Sequence, residues 1–279
     1  MRIVKVSDIQ LKVEEMLLDA CENIPCNVLE SLKSALDKEE SLLGKEVIKR
    51  IIENDELARQ KHLPICQDTG VVVCFLEVGY DVHFDGDIYQ AINNAVSAAY
   101  TKGYLRKSVV RHPLDRVNTK NNAPAITHIK LVEGDQVKIH VAPKGGGSEN
   151  MSLVKMLIPA DGVEGIKKLV LDTVFNGGGK PCPPIIVGIG LGGNLEKSAL
   201  LAKEALMREI DDSNSDPILR DLENELLEEI NKLGVGPMGF GGRVTCLAVK
   251  INAYPCHIAS LPVAINIQCH ASRHKSFVF

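Results

Sequence analysis

Helical spacing fills the first sixty residues, and an apolar, β-branched run from Val71 to Val78 then ends it. That order constrains the fold more than any other feature. Ile48, Ile51 and Ile52 share one helical face near Leu57, whereas Val71 to Val78 has the length and composition of a buried strand. Ser7-Asp8 predicts a capped helix to about Cys21, Pro25 opens a second to about Glu40, and a third spans Lys45 to His62. After the strand, Asp85-Gly86 reads as a turn and Asp87 to Tyr100 as an amphipathic helix. Ile126 to Val132 and Val137 to Val141, joined by Glu133-Gly134-Asp135, read as a β-hairpin.

The second half alternates between the two periods. A helix is expected from Val163 to Phe175, ending at Asn176-Gly177-Gly178-Gly179. Ile185 to Gly190 reads as a strand, Leu195 to Glu209 as a helix, and Ser215-Asp216-Pro217 as the start of another helix to Leu233. A glycine-rich loop, Gly234 to Gly242, precedes strands at Val244 to Ile251 and Val263 to Ile267. The expectation is an α+β chain: an N-terminal helical region, then a sheet-containing catalytic core. Residues 1–279 are read as one domain, in one body or two lobes, with no repeat and no linker.

Charge and hydropathy exclude some functions. A net charge of -4 argues against nonspecific binding to nucleic acid or an acidic membrane. No apolar run approaches the roughly 18 residues that span a bilayer. Met1-Arg2-Ile3-Val4-Lys5 lacks a signal-peptide core, so the expected location is cytoplasmic. There are eight cysteines, and no pair is spaced Cys-x-x-Cys, so a zinc ribbon or thioredoxin-like site has no local support.

Three cysteines stand in unusual settings. Cys66 lies in Pro64-Ile65-Cys66-Gln67-Asp68-Thr69-Gly70, where four different functional groups crowd the mouth of a strand. Cys182 lies in Lys180-Pro181-Cys182-Pro183-Pro184, where proline on both sides suggests a rigid, extended thiol. It suits a metal ligand or a buried cysteine in a proline-rich turn. Cys269, in Gln268-Cys269-His270, follows a strand directly and by itself reads as a free cysteine near a terminus. These cysteines are too far apart for any local ligand spacing.

Glycine clusters invite a different reading. Gly188-Ile189-Gly190-Leu191-Gly192-Gly193 fits G-x-G-x-x-G between a strand and a helix, as in a dinucleotide loop. The expected helix is followed by a second helix, not by a strand ending in an acid, which weighs against it. Gly145-Gly146-Gly147 is different, because Ser148 and Asn150 follow at once and glycine lets backbone N–H groups approach an anion.

Taken jointly, several strings resemble the α subunit of the class I, iron–sulfur fumarase and L(+)-tartrate dehydratase family. They are Ile65-Cys66-Gln67-Asp68-Thr69-Gly70, Leu105-Arg106-Lys107-Ser108, Gly145-Gly146-Gly147-Ser148-Glu149-Asn150, Cys182-Pro183-Pro184 with Gly188-Ile189-Gly190, and finally Cys269 with Arg273. One departure is His270, where many relatives carry an aromatic residue. The resemblance implies a [4Fe–4S] cluster on Cys66, Cys182 and Cys269, with one iron free of protein ligands. It implies Gln67 and Asp68 beside the substrate, Arg106 on a substrate carboxylate, and Gly146 and Gly147 donating backbone N–H groups. His257, in Pro255-Cys256-His257-Ile258, matches a histidine near the substrate; by itself it reads as a packed core histidine.

The implied reaction is reversible hydration of fumarate to (S)-malate, with Asp68 and His257 catalytic; L(+)-tartrate dehydration to oxaloacetate is the alternative. The family places further substrate-binding residues and a threonine base in another domain, here expected on a separate β subunit in an α2β2 heterotetramer. Three rivals from other classes are a non-catalytic Fe–S electron carrier, which needs a fourth thiolate, a dinucleotide-dependent oxidoreductase, and a structural subunit whose cysteines only pack.

Overall fold

A computed structural model describes residues 1–279, which divide into two compact units. The first comprises 1–25, 54–146 and 273–279; the second comprises 26–53 and 147–272.

The first unit is built on a four-stranded sheet. Its strands are β2 (Val71–Gly79), β4 (Ile126–Val132), β5 (Val137–Lys144) and β10 (Lys275–Val278), in the order β10-β5-β2-β4. β2 alternates as a strand must. Val72, Cys74, Leu76 and Val78 join Val137, Ile139 and Val141 of β5 in one core with helices α1 (Val6–Glu22) and α4 (Ile88–Lys102). A short parallel pair, β1 (Arg2–Val4) with β3 (Val82–Phe84), lies outside this sheet.

The expected hairpin does not form. β4 pairs in parallel with β2, and β5 pairs antiparallel with the other side of β2. β2 is buried along most of its length, so the backbone N–H and C=O groups on both its edges need strand partners. The Gly134 turn serves β2 instead, since its carbonyl accepts from Asp81 N at 3.0 Å. The Ser7-Asp8 cap is absent too; the first turn of α1 is closed by the distant Asp85, whose carboxylate accepts from Val6 N at 2.8 Å.

The second unit is a sheet between helices. Strands β6 (Leu153–Leu157), β7 (Ile185–Gly192), β8 (Cys246–Tyr254) and β9 (Leu261–Gln268) run in the order β6-β9-β7-β8, with β7 and β8 parallel. Ile185, Val187 and Ile189 face the core formed with α6 (Gly162–Gly177) and α8 (Pro217–Lys232). The alternate residues, Gly188 and Gly190, face α7 (Leu195–Ala205). A Cβ at Gly190 would stand 2.0 Å from Ser198 O, and one at Gly188 would stand 2.3 Å from Ala202 O. These glycines bring a helix backbone onto the sheet. That packing accounts for the G-x-G-x-x-G string without a nucleotide. A parallel strand does follow, as β8, but only after α8, and it ends at Tyr254 with no acid.

Helix α2 (Cys26–Lys38) completes this unit, and α3 (Leu42–Lys61) leads from it toward Cys66. Between α2 and α3 stands Glu39, 1% exposed. Its carboxylate accepts from Glu40 N, Ser41 N, Arg243 N and Val244 N at 2.7–3.0 Å. Burial pushes this carboxyl up, but the N–H donors of Val244, Arg243, Ser41 and Glu40 outweigh it and hold the group below its ordinary value.

Candidate active site

In the first unit the turn between α3 and β2 is fixed atom by atom. Ile65 is held on both sides: its N donates to Cys21 O at 2.9 Å, and its carbonyl accepts from Asn54 Nδ2 at 2.9 Å. Asp68 Oδ1 accepts from Gly70 N at 3.0 Å and Oδ2 accepts from Gly146 N at 2.9 Å. Arg273 Nη1 donates to Asp68 O at 2.7 Å. Tyr100 Oη donates to Thr69 O at 2.6 Å, and burial keeps this phenol protonated far above its usual range. Gly70 has φ 76°, and a Cβ there would stand 2.5 Å from Lys144 O, so only glycine closes the turn.

Arg106 is tied to the same turn. Thr69 Oγ1 donates to Arg106 O at 2.8 Å, and Arg106 Nη1 donates to Gln67 Oε1 at 2.7 Å. Asn122, fully buried, donates to Gly70 O at 3.0 Å while its Oδ1 accepts from Ser108 N at 2.7 Å. Gln67, Asp68, Arg106 and Gly146 therefore come together, with Arg106 and Gln67 exposed. Gly146 N–H points to Asp68 rather than to open solvent. Sequence reasoning missed Asn122 and gave Arg273 no role, because their partners lie far away in the chain.

In the second unit Cys182 and Cys269 become neighbours. His270 N, next to Cys269, donates to Cys182 O at 3.4 Å. Gly147 lies beside them; its Cβ would stand 3.5 Å from Lys180 O. Cys182 is not extended, as its flanking prolines suggested, but takes φ 57°. The turn that ends α6 continues through Lys180 N to Gly177 O and Cys182 N to Gly179 O, and forces this left-handed value. Gln268 Nε2 donates to Cys269 Sγ at 3.6 Å and to Ala271 O at 3.1 Å. The turn following Gly147 is braced by Glu149, which pairs with Lys203 and accepts from Asn266 Nδ2 at 2.9 Å.

His257 is exposed on the β8–β9 loop rather than packed in a core. Its hydrogen bonds stay within that loop: Nδ1 accepts from Ala259 N at 3.1 Å, and its carbonyl accepts from Ser260 N at 2.9 Å. With Nδ1 accepting, the proton of the neutral ring sits on Nε2.

Burial sorts the cysteines. Cys21, Cys74 and Cys246 are buried, and desolvation pushes their thiols up to about 11, 12 and 12. Cys26 and Cys256 are exposed. Only Cys66, Cys182 and Cys269 are half-buried, sheltered yet reachable. The structure holds no group of three or more His, Cys, Asp or Glu side chains arranged to hold a metal ion. As a donor set, the three half-buried thiols suit iron–sulfur chemistry, and the deeply buried thiols do not compete.

The chain belongs to the fumarate hydratase (Fumerase) family, whose model matches residues 10–278, and it is a hydro-lyase chain. It is 45% identical over 276 residues to a putative L(+)-tartrate dehydratase subunit alpha of Methanocaldococcus jannaschii, covering 96% of this chain and 95% of that protein. It is 32% identical over 259 residues to the L(+)-tartrate dehydratase subunit alpha of Escherichia coli K12, covering 91% and 85%. No helix is long and apolar enough to cross a membrane.

Proposed function

We propose that this chain is the α subunit of a [4Fe–4S] hydro-lyase that catalyses reversible hydration of fumarate to (S)-malate, completed by a separate β subunit. Cys66, Cys182 and Cys269 would hold the cluster. The observation that carries this reading is the prebuilt turn at Asp68, with Gln67 and Arg106 on its rim. When bound, the cluster would supply Lewis-acid chemistry toward the substrate hydroxyl.

The chain's own residues supply recognition and proton transfer. Arg106 offers a planar guanidinium that can exchange its bond to Gln67 for a bidentate grip on a carboxylate. The freed Gln67 amide then presents its oxygen to a substrate hydroxyl. Asp68 has one lone pair on each oxygen committed to a backbone N–H, which fixes its plane and leaves the others for the proton that moves with water. His257 offers an Nε2–H to a developing negative charge on the substrate. Gly146 and Gly147 start α5 (Gly146–Glu149) with no side chain to block a diacid, and Gly146 N–H would exchange its bond to Asp68 for one to the substrate.

Hydration adds a hydroxyl to one alkene carbon of fumarate and a proton to the other. L(+)-tartrate dehydration uses the reverse step on a diol, and the enol product tautomerises to oxaloacetate. The names of the relatives favour tartrate, and the family description favours fumarate. An anaerobically purified αβ complex assayed with malate and with L(+)-tartrate separates them. Faster turnover of malate supports the fumarase reading; turnover of tartrate alone replaces it with the second; turnover of neither removes both. A [4Fe–4S] cluster with a fourth cysteine ligand would favour the electron-carrier alternative.

A further inference from the structure

Arg273 is the least easily explained residue of the first unit. It is a guanidinium 3% exposed, and it forms no ion pair. Its single hydrogen bond runs from Nη1 to the carbonyl of Asp68 at 2.7 Å. Nε is buried with no acceptor at all. Nη2 approaches Gly145: a Cβ on Gly145 would stand 3.4 Å from Nη2 and 3.3 Å from Asp68 Oδ2. The guanidinium and the Asp68 carboxylate thus flank one side-chain-free position, and any other residue at 145 would push them apart. The same charge acts on the Tyr100 phenol, which itself holds the carbonyls of Thr69 and Gly70.

A buried cation with one hydrogen bond and an orphaned donor costs stability. A shape-matched apolar side chain would serve a purely structural role better. Retaining the charge therefore implies that something other than folding requires it.

We propose that Arg273 is a positioning residue for the hydro-lyase reaction. It holds the Asp68 carbonyl from behind, so that the carboxylate keeps its orientation, and supplies a fixed positive charge beside a site that receives a dianion. Arg273 does not touch the substrate; it acts through Asp68. This inference rests on the proposed function, because it assumes Asp68 is the group that must be aimed.

The test uses the anaerobic αβ complex and two variants, Arg273→Met and Arg273→Lys. Wild-type turnover of malate or tartrate first checks the functional reading by itself; without it, the exchange and melting measurements below still judge Arg273. Arg273→Met is expected to lower kcat about a hundredfold and to change KM less than threefold. It should melt at the same temperature as wild type or above it. Hydrogen exchange in a peptide covering residues 64–70 should accelerate tenfold or more, with exchange across β7 unchanged. Arg273→Lys should recover part of kcat, since an ammonium can still donate to Asp68 O. A fall in melting temperature that tracks the loss of activity would overturn the proposal in favour of a structural role. Unchanged exchange at 64–70 in both variants would overturn it as well. If Arg273→Met does not accumulate, Arg273→Lys decides by itself: a kcat below wild type with faster exchange at 64–70 and an unchanged melting temperature supports the proposal, and wild-type kcat and exchange overturn it.

Discussion

The turn from Cys66 to Gly70 and the loops carrying Cys182 and Cys269 make a useful contrast. The turn is held by side chains recruited from across its unit: Asn54, Tyr100, Asn122 and Arg273 all donate to its backbone or its flank. The two thiol loops are held chiefly by bonds between near neighbours and to each other, as in Cys182 N to Gly179 O, His270 N to Cys182 O and Gln268 Nε2 to Ala271 O. Cys182 Sγ lies 4.0 Å from Lys180 O, and Cys269 Sγ takes a long bond from Gln268 and lies 3.8 Å from Ala271 O. The lesson is that the turn proposed to handle protons is organised by side chains distant from it in sequence. The loops that carry Cys182 and Cys269 are instead joined by backbone bonds that leave the two thiols half-buried.

The largest expected effect breaks that contrast from the metal side. Cys182→Ser should leave the anaerobic protein without stoichiometric iron and sulfide and without turnover, while its far-UV circular dichroism matches wild type. Full iron content in the variant would mean that Cys182 only packs. From the proton side, Asp68→Asn should lower kcat by roughly 10²–10⁴-fold, the range for losing a positioned acid–base group. Its visible spectrum should remain that of the loaded protein. A spectrum lost together with activity would show that the turn and the thiols are not separable.

How much of this was legible beforehand follows from where each signal lies. Val71 to Val78 could be read as a strand because its own side chains encode burial on two faces. That same burial is why the hairpin failed: two edges needed partners, and no local pattern says which later segments supply them. Gln67, Asp68 and Arg106 were visible as chemistry in a string. Asn122 and Arg273 were not assigned roles, because a buried amide and a buried guanidinium are defined by bonds to Gly70 and Asp68, which lie far off in sequence. Gly188 and Gly190 fit a nucleotide motif because close helix–strand packing and phosphate approach make the same demand of a backbone.

Smaller effects sharpen the comparison through two buried carboxylates. Asp55, on α3, is 4% exposed, and burial pushes its carboxyl up to about 7 against the opposing pull of the Asn54 side chain. Its folded value lies above its unfolded one, so stability is fullest below about pH 4 and is lost as pH rises through 7. Asp55→Asn should therefore melt higher than wild type at pH 8, by up to about 2–4 kcal/mol, and differ little at pH 4. An equal shift at both pH values would contradict the assignment. Glu39 has the opposite sign. Its folded value is depressed, so its contribution is present above about pH 4.5 and fades as pH falls through the folded value. Glu39→Gln should cost about 1–3 kcal/mol at pH 7 through weakened bonds to Arg243 and Val244. It should leave KM for the diacid unchanged; a KM shift would mean that this loop reaches the site.

The division of the eight cysteines is open to one direct reading. The anaerobic αβ complex is treated with iodoacetamide before and after removal of iron, and each cysteine of this chain is followed by mass spectrometry. Cys66, Cys182 and Cys269 should be protected in the loaded complex and alkylated once iron is removed, while Cys21, Cys74 and Cys246 stay unmodified throughout. Rapid labelling of any of those first three thiols in the loaded complex would contradict the assignment of the cluster.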